Sequence, residues 1–300
     1  MASLHTGADA TPERVGDVTL THPKRVILRP PKTTKSDLAH YYEAMAPYLL
    51  GHLKGRRVAL LRCPDGAGED CFFQRHLTGK VPAGVTRQAG HLQIQSAAGI
   101  LALVQLGVIE FHTWGSHAPR HDKPDRITLD LDPGPGVSWR ALVESVQLAH
   151  GLMTEVGLSP FLKTTGGKGL HLVAPIRATH TWETIRIFAR HLAQRLADSA
   201  PERFTANMAK AERRGRIFVD YLRNGDSATA ISAYSVRARA EAPVAMPVPW
   251  DLLDFHHDLR AARFNIRNAR DYVQNHEDPW HDYAARRTAL TRRMLDRLEA

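Results

Sequence analysis

Residues 126–136 read RITLDLDPGPG, an apolar, β-prone run that carries two aspartates and ends in a turn rich in proline and glycine. Because residues i and i+2 of a strand point to the same face, Asp130 and Asp132 are predicted to point together from one strand, with the neighbouring leucines facing the core. Two carboxylates held this close repel each other unless a cation lies between them. Hard oxygen ligands favour Mg²⁺ or Mn²⁺. The stretch therefore predicts a catalytic divalent-metal site that acts on phosphates.

Two other interpretations compete with this metal site. A strand end followed by a solvated acidic turn is common, because short motifs often match by chance. A calcium-binding EF-hand loop would need Gly at its sixth position and Glu at its twelfth. This chain has Pro135 and Ala141 there, which excludes the calcium loop. The choice between the other two depends on the rest of the chain.

Length, charge and cysteine content restrict the class of protein. The 300 residues, 43% of them hydrophobic, suit one large domain or two closely associated subdomains. The net charge of +9 favours a polyanionic partner such as nucleic acid, although many basic proteins bind none. Cys63 and Cys71 form no CxxC motif, so a reduced, cytoplasmic setting is expected. Neither a secretory signal nor a membrane span is expected.

The hydrophobic pattern predicts a mixed α/β chain whose strands come from distant segments. Residues 1–16 are expected to be a disordered lead-in. Helices are predicted over residues 33–53, 96–106, 138–153, 182–197 and 202–212. Strands are predicted over residues 18–20, 26–28, 57–61, 108–114, 126–132, 161–165, 170–173, 217–222 and 228–236. The part that follows Pro249 and Trp250 is expected to be helical.

A glycine-rich turn, GGKG at residues 166–169, lies between two predicted strands and is followed by His171. Glycines let successive backbone N–H groups approach an anion, and Lys168 adds a positive charge. The turn is not a Walker A loop. A plain glycine hairpin with an exposed lysine is the alternative. Phosphate contact is favoured because Lys168 and His171 flank the same turn.

A third carboxylate comes from IFVDYLRN, residues 217–224, in which an apolar strand carries Asp220 near its end. A lone aspartate in this position is usually a turn former. Beside Asp130 and Asp132 it would complete a clamp for two metal ions, in which one activates an attacking 3′-hydroxyl and the other holds a triphosphate.

Further candidate contacts lie on other predicted strands. Arg237 and Arg239 are expected on one strand face, where guanidinium groups either bind phosphate oxygens or form a solvated basic edge. Phe72 and Phe73 are expected to face opposite ways, one in the core and one exposed for base stacking. Two core phenylalanines are the alternative. His112 either reaches a phosphate or satisfies a buried hydrogen bond.

Six sequence blocks, taken in this order, resemble the polymerase domain of bacterial ATP-dependent DNA ligase D. That domain belongs to the archaeo-eukaryotic primase superfamily and works in non-homologous end joining. The blocks are FFQRH (72–76), EFHTW (110–114), DLDPGPG (130–136), TTGGKGLHL (164–172), IFVDYLRN (217–224) and AYSVRAR (233–239). The resemblance implies an α/β (α+β) fold: a primase-like palm whose mixed sheet carries the carboxylates, and a flanking α/β module packed tightly with it as one unit. It covers most of the chain.

The resemblance also implies an activity and its cofactors. A DNA-end nucleotidyltransferase would add nucleotides to 3′ ends, in templated gap filling and in non-templated addition, with ribonucleotides favoured. It would use two Mn²⁺ or Mg²⁺ ions and a nucleoside triphosphate. Residues 17–300 would form the polymerase domain, with a basic DNA-end-binding part (17–90), a catalytic palm (91–245) and a helical C-terminal part (246–300).

The same resemblance assigns partners and a setting. The partners are double-stranded DNA ends and gaps with a 5′-phosphate, the ligase and nuclease domains of a larger protein, and an end-binding factor. The chain would then be either an excised domain or a stand-alone version. The setting is the bacterial cytoplasm, near the nucleoid and away from membranes.

Individual residues match the motifs of this family. The metal carboxylates are Asp130, Asp132 and Asp220; the nucleotide contacts are His112, Thr165, Lys168, His171 and Arg237; the DNA contacts are Lys24, Arg25, Lys35, Phe72 and Phe73. Relatives hold a 5′-phosphate with two lysines. Lys35 matches the second, whereas spacing favours Arg25 at the first, with Lys24 beside it. The choice between these two cations stays open.

Two other functional classes remain as alternatives. Mn²⁺-dependent glycosyltransferases also use a DxD motif, but their sugar-nucleotide donors do not explain the basic charge. A DNA-end-binding module with a decayed catalytic site is the second alternative. The intact carboxylates argue against it, because a pure DNA binder gains nothing from clustered negative charge.

Overall fold

The computed structural model describes residues 11–67, 70–77, 79–260 and 263–299. The chain divides into two compact units, and each is built from separate segments. The first unit comprises residues up to 113 with 231–244 and 264–275; the second comprises 114–230, 245–263 and residues from 276 onward. The three-part division expected from the sequence used contiguous ranges, and it stays a prediction.

Helices and strands are interspersed along the described chain, as expected for a mixed α/β protein. The helices are α1 (Lys35–Leu53), α2 (Ala97–Gln105), α3 (Trp139–Glu155), α4 (Trp182–Ser199), α5 (Ala269–Asn275) and α6 (Arg292–Glu299). The strands are β1 (Glu13–Val15), β2 (Val18–Leu20), β3 (Val26–Leu28), β4 (Thr33–Thr34), β5 (Val58–Arg62), β6 (Phe72–Gln74), β7 (Val85–Gln88), β8 (His91–Ile94), β9 (Val108–Trp114), β10 (Arg126–Pro133), β11 (Phe161–Thr164), β12 (Leu170–Pro175), β13 (Phe204–Thr205), β14 (Ile217–Asp220), β15 (Thr229–Ile231) and β16 (Pro247–Val248). Among the described residues, no helix has both the length and the apolar character needed to cross a membrane.

The first unit contains a sheet with β9, β5, β8 and β7 in that order, and β6 pairs with β5. These pairings are antiparallel. Helix α1 begins where the sequence predicts, since Thr34 and Asp37 form a capping box. The buried Tyr42 of this helix donates a hydrogen bond to the carbonyl of Ile109 (2.6 Å) and accepts one from the N–H of Val236 (2.9 Å). Helix α1 is thereby joined to β9 and to the segment 231–244.

The second unit contains a mixed sheet with the strands in the order β13, β14, β10, β12, β11 and β16. Strand β10 is central and antiparallel to both neighbours, which pairs Asp130 with His171 on β12 and with Asp220 on β14. The predicted hairpin of β11 and β12 is present. Asn224 accepts a hydrogen bond from the N–H of Thr128 and donates one to its carbonyl, both at 2.7 Å. This side chain ties the end of β14 to β10 close to the aspartates.

The helix predicted over residues 202–212 is wrong. This segment contains the short strand β13 and a 3-10 helix over Lys210–Arg213. Phe204 is buried because β13 lies beside β14, whereas Lys210–Arg213 contains no buried residue. A helix here would lack the apolar face on which helices in proteins depend for stability.

The predicted strand over residues 228–236 is limited to β15. Tyr234 has a φ of +64°, which a continuing strand does not permit. Residues 237–239 therefore lie outside any named strand, and the expectation that Arg237 and Arg239 share a strand face is wrong.

Most of the described residues after 246 lie outside helices. Aspartate and asparagine side chains bind local N–H groups, which favours turns over helix. For example, Asp254 accepts hydrogen bonds from the N–H groups of His256 and His257, both at 2.7 Å. The prediction of a helical C-terminal part is therefore correct for α5, α6 and a turn of 3-10 helix over Trp250–Leu252.

Two local expectations also differ from the structure. Residues 1–10 of the predicted disordered lead-in lie outside the described residues, but Glu13–Val15 pairs with β2 as a strand. Cys63 and Cys71 form a disulfide, whereas reduced thiols were expected. Pairing of β6 with β5 brings Arg62 opposite Phe72, so the adjacent cysteines meet.

Candidate functional site

Three carboxylates lie together in the sheet of the second unit. Asp130 and Asp132 share one face of β10, and Asp220 is the direct cross-strand partner of Asp130 on β14. One oxygen of each carboxylate lies within 4.8 Å of those of the other two. The spacing of two residues and the antiparallel register together produce this cluster.

Asp130 is the most enclosed of the three carboxylates. Its side chain is buried, and its Oδ1 has no hydrogen-bond partner among the described residues. Its Oδ2 lies 3.2 Å from Nε2 of His171 and 3.5 Å from Nε of Arg223. Arg223 also reaches Asp220, with 3.1 Å between Nη2 and Oδ2. One buried acceptor atom of the cluster therefore lacks a protein donor.

The carboxylates differ in their expected charge. Burial, together with repulsion from Asp130 and Asp220, raises the pKa of Asp132 to about 7. Burial also raises the pKa of Asp220, although Arg223 opposes that effect. At Asp130 burial is outweighed by His171, Arg223 and Lys163, which lower its pKa. Burial and the charge of Lys163 lower the pKa of His171 to about 4.

The donor set fits a hard divalent cation. Three carboxylates converge, one buried oxygen is unpartnered, and burial together with like-charge repulsion raises the pKa of Asp132. Oxygen donors of this kind suit Mg²⁺ or Mn²⁺ better than softer-site metals. The cluster is therefore a candidate metal site. The identity of the metal, Mg²⁺ or Mn²⁺, stays a prediction.

The glycine-rich turn between β11 and β12 lies against this cluster. A Cβ on Gly169 would come within 2.6 Å of the carbonyl oxygen of Leu131 and 3.0 Å of Oδ1 of Asp132, so glycine is needed there. The hydroxyl of Thr165 donates to the carbonyl of Gly169 (2.9 Å) and accepts from the N–H of Gly167 (3.2 Å). Lys168 is exposed at the tip of the turn. The structure thus brings Thr165, Lys168 and His171 into the same region as the aspartates.

Three cations near the carboxylates were not among the predicted site residues. Lys163 on β11 is buried, Arg223 follows β14, and Arg213 lies over the ring of Phe218 at 3.9 Å. The charge of each lowers the pKa of at least one of the aspartates. Arg223 lies within the quoted block IFVDYLRN, three residues after Asp220, so its position in sequence was an available signal.

A second polar cluster lies in the first unit, around Glu110 of β9. Its Oε2 accepts from Nε2 of His112 at 2.8 Å and lies 3.1 Å from Nε of Arg237, and its Oε1 accepts from the N–H of Ala238 at 2.8 Å. Burial alone would raise the pKa of Glu110, but His112 and Arg237 lower it to about 2. The buried carboxylate therefore holds two of the predicted nucleotide contacts in place. Its own role was missed, although it precedes His112 by two residues on the same strand.

Phe72 and Phe73 are both exposed, at 43% and 60% of their surface. The expectation that one would be in the core is wrong, and so is the alternative of two core residues. They lie on the three-residue strand β6 beside β5, and the side chains on both faces of this strand are exposed. Arg62 lies 5.9 Å from the Phe72 ring, and the Phe73 ring meets His112 edge to face at 5.1 Å.

The predicted cations of the N-terminal part surround a cleft of about 520 Å³ in the first unit. Its lining residues are His22, Lys24, Arg25, Val26, Lys32 and Thr34. Lys35 is buried instead, and its Nζ donates to the carbonyl of Thr21 at 2.9 Å. Burial and the nearby charge of Arg25 lower the pKa of Lys35. Lys32 was not among the predicted contacts.

The predicted site residues thus fall into groups, each described within one unit. The second unit holds Asp130, Asp132, Thr165, Lys168, His171 and Asp220. The first unit holds Lys24, Arg25, Lys35, Phe72, Phe73, His112 and Arg237. Within the first unit, His112, Arg237 and Phe73 lie close together.

Comparisons with known proteins identify similar chains. A family model, the LigD primase-polymerase domain, matches residues 34–280. The multifunctional non-homologous end joining protein LigD of Pseudomonas aeruginosa is 41% identical over 304 residues, covering 97% of this chain and 36% of that protein. The corresponding DNA repair protein of Mycobacterium tuberculosis is 35% identical, covering 79% and 33%. The chain therefore spans about a third of the length of these curated relatives.

A solved structure is also similar. It is the polymerase domain from Mycobacterium tuberculosis ligase D in complex with DNA, with a TM-score of 0.83 and 31% sequence identity. The match covers 89% of this chain and 98% of that one. The mixed α/β fold expected from the sequence is therefore confirmed.

Proposed function

Because the chain belongs to the LigD primase-polymerase domain family, we propose that it is a DNA-end nucleotidyltransferase acting in non-homologous end joining. It adds nucleotides to DNA 3′ ends, both in templated gap filling and without a template. The observation that carries this proposal is the cluster of Asp130, Asp132 and Asp220, with their oxygens within 4.8 Å beside a glycine-rich turn. A similar solved domain was obtained in complex with DNA, which supports a DNA substrate here.

Two divalent ions, with Mn²⁺ preferred over Mg²⁺, are proposed as cofactors. Asp130 and Asp132 would hold both, and Asp220 would join at the position nearest the primer 3′-hydroxyl. Bound there, such ions would supply a lower pKa for the attacking hydroxyl and would neutralise charge on the transferred phosphate. The unpartnered Oδ1 of Asp130 supports this assignment.

The contacts with the incoming nucleoside triphosphate are proposed residue by residue, on the basis of the family resemblance. Lys168 offers an exposed ammonium group beside the turn that Thr165 stabilises. His171 offers a hydrogen bond, and His112 and Arg237 are the further phosphate contacts. Preference for ribonucleotides belongs to this proposal, on the basis of the family resemblance.

The DNA end is assigned to the first unit. The cleft lined by Lys24, Arg25 and Lys32 would hold the 5′-phosphate at the far side of a gap. Lys35 is buried next to this cleft, and its hydrogen bond to the carbonyl of Thr21 would stabilise the backbone there. The exposed rings of Phe72 and Phe73 offer surfaces on which template bases stack.

The setting and partners follow from the same family. The relatives are longer proteins, so we propose that this polymerase works with ligase and nuclease domains and with an end-binding factor. We propose the bacterial cytoplasm, close to the nucleoid, as its location.

Primer extension on a gapped duplex tests the proposal. The downstream strand carries either a 5′-phosphate or a 5′-hydroxyl, and ATP and dATP are offered separately with Mn²⁺ or Mg²⁺. We expect metal-dependent addition, faster with ATP, that improves about tenfold with the 5′-phosphate, equivalent to ~1.4 kcal/mol. Arg25→Ala should remove most of that improvement, because the cleft would lose one of the cations proposed to bind the phosphate.

Other outcomes would favour the alternative classes. Absence of addition from a folded protein under every condition would favour a binding module that lacks activity. Turnover of sugar nucleotides without any dependence on DNA would favour a glycosyltransferase. Equal extension with a 5′-phosphate and a 5′-hydroxyl would contradict the assignment of the basic cleft.

Replacement of Glu110 by Gln tests the cluster in the first unit. The substitution keeps the shape but removes the charge that His112 and Arg237 share. We expect the KM for the nucleotide to rise about tenfold, ~1.4 kcal/mol, with a smaller change in kcat. Steady-state kinetics measure both parameters. Glu183→Gln, an exposed residue in the first turn of α4, is the matched control and should leave both unchanged. An unchanged KM in Glu110→Gln would contradict the positioning role.

A further inference from the structure

A second cleft lies beside the basic cleft of the first unit. It has a volume of about 480 Å³ and is formed by the start of α1 and by the segment 266–271 that leads into α5. Its lining residues are Lys32, Thr33, Asp37, His40, Tyr41, Ala44, Ile266, Arg267, Arg270 and Asp271. Lys32 also lines the basic cleft, so the two clefts share a wall.

Three exposed cations of this second cleft lack an acidic partner. Lys32, Arg267 and Arg270 form no ion pair within the described ranges. Asp37, by contrast, is occupied by the cap of α1, where it accepts hydrogen bonds from the N–H and hydroxyl of Thr34. Asp271 is exposed and is the other carboxylate of the cleft.

The nearby charges of α1 and β1 are already paired with each other. His40 lies 2.8 Å from Oε1 of Glu13 and 3.4 Å from Oε2 of Glu43. These groups therefore do not compensate Lys32, Arg267 or Arg270. Together with Lys24 and Arg25, these three residues form a run of cations, here called the cationic tract, that passes from one cleft into the other.

We propose that Lys32, Arg267 and Arg270 bind backbone phosphates of the DNA duplex downstream of a gap, beyond the terminal 5′-phosphate. The inference rests on the proposed function, in which the adjoining basic cleft holds that phosphate. Successive phosphates of a duplex continue away from the terminal one, so a contiguous row of cations is suited to them. Arg25 of this row lies 3.6 Å from Asp65, whereas Lys32, Arg267 and Arg270 form no ion pair in the described chain. Arginine also matches phosphate oxygens with two parallel hydrogen bonds.

The composition of the tract favours DNA over a protein partner. Protein interfaces are centred on aromatic and other large apolar side chains. The exposed large hydrophobic residues of the described chain are Phe72, Phe73, Leu106, Leu148, Ile187, Met208 and Phe255, and none of them lines either cleft. Contacts of lysine and arginine with the backbone carry no sequence information, so binding should be independent of base sequence.

Binding to gapped duplexes of different downstream length tests the proposal. Fluorescence anisotropy is measured at several salt concentrations with downstream duplexes of about 4 and about 10 base pairs, the longer being roughly one helical turn. The wild-type protein should bind the longer duplex more tightly. Arg267→Ala/Arg270→Ala should lose most of that gain and lower the slope of log K against log salt by about 1 to 2, since each phosphate contact contributes about 0.9.

The matched control removes two positive charges elsewhere. Arg190 on α4 and Arg293 on α6 are exposed and form no ion pair in the described part of the chain. Arg190→Ala/Arg293→Ala should keep the gain from the longer duplex. Lys32→Gln, measured in the same way, should lose part of it. Thermal unfolding of every variant confirms that each is folded.

Distinct results separate the inference from the function on which it rests. If the Arg267→Ala/Arg270→Ala variant keeps the full gain with duplex length, or if the wild type shows no gain, the inference is wrong. Normal DNA binding with loss of affinity for an end-binding protein would also overturn it and assign the tract to a protein. A gain with length that the variant loses, in a protein indifferent to the 5′-phosphate, would support the tract and contradict the assignment of the basic cleft.

Discussion

Replacement of Asp132 by Asn is expected to lower nucleotide addition by about 10³-fold or more, ~4 kcal/mol of transition-state stabilisation. The substitution removes one of three carboxylates whose oxygens lie within 4.8 Å of each other, so the proposed ions lose a charged ligand. Asp130→Ala should have an effect at least as large. DNA binding should remain close to that of the wild type, because neither aspartate belongs to the basic clefts.

The same variant should also be more stable than the wild type when no metal is present. Burial and the neighbouring aspartates raise the pKa of Asp132 to about 7, so its ionised form disfavours the folded state. The gain in melting temperature from Asn should therefore be full above pH 7 and should shrink as the pH falls towards the ordinary pKa of aspartate.

Primer extension, DNA anisotropy and thermal unfolding measured on one preparation check both effects of the Asp132 substitution. Asp198→Asn, an exposed residue of α4, is the control and should change none of the three. Near-normal extension by the Asp132→Asn variant would rule out this cluster as the catalytic metal site. If the Asp132→Asn variant melted at a lower temperature than the wild type at high pH, the repulsion inferred at Asp132 would be contradicted.

Gly169→Ala is expected to lower nucleotide addition by about 10²-fold, because a displacement of about 1 Å at a reacting centre can have an effect of that size. A Cβ at this position would lie 2.6 Å from the carbonyl oxygen of Leu131 and 3.0 Å from Oδ1 of Asp132. The first of these atoms belongs to the backbone of β10 and cannot rotate away. Either the turn that carries Lys168 would move away from the carboxylates, or β10 would be displaced together with Asp130 and Asp132.

The Gly169 variant should unfold at a lower temperature, since forced overpacking usually costs about 1–3 kcal/mol. Gly151→Ala provides the matched control, because a Cβ there meets nothing within 4 Å in the middle of α3. That change should preserve activity and slightly raise stability, by up to about 1 kcal/mol. Full activity of Gly169→Ala would show that the turn does not need its close approach to Asp132.

Much of the candidate metal site was predictable from local sequence. The spacing of Asp130 and Asp132 predicts a shared strand face, and β10 confirms it. The helices predicted from residues 33, 96 and 138 are present as α1, α2 and α3, and Thr34, Ser96 and Ser138 each accept a hydrogen bond from the third N–H beyond them. These features depend on residues within a few positions of each other, so a linear pattern is enough to predict them.

Predictions failed where a local pattern had more than one solution. Residues 202–212 have helix-forming composition, but Phe204 finds a buried position beside β14 and the rest has no surface to pack against. Phe72 and Phe73 are adjacent on a strand, where one side chain is expected in the core and the other at the surface, but β6 leaves both exposed. Burial depends on which elements cover a segment, and the segment itself does not encode that.

The sequence by itself determined the mixed α/β fold class, the paired aspartates and the glycine-rich turn, because each is set by periodicity or by local backbone geometry. The tertiary structure decided which distant residues meet. The register of β14 against β10 places Asp220 opposite Asp130. The segment 231–244 brings Arg237 to Glu110, and the segment 266–271 brings two arginines to the cleft of Lys32. Such contacts depend on the packing of whole elements, since residues far apart in the chain carry no local signal of their proximity.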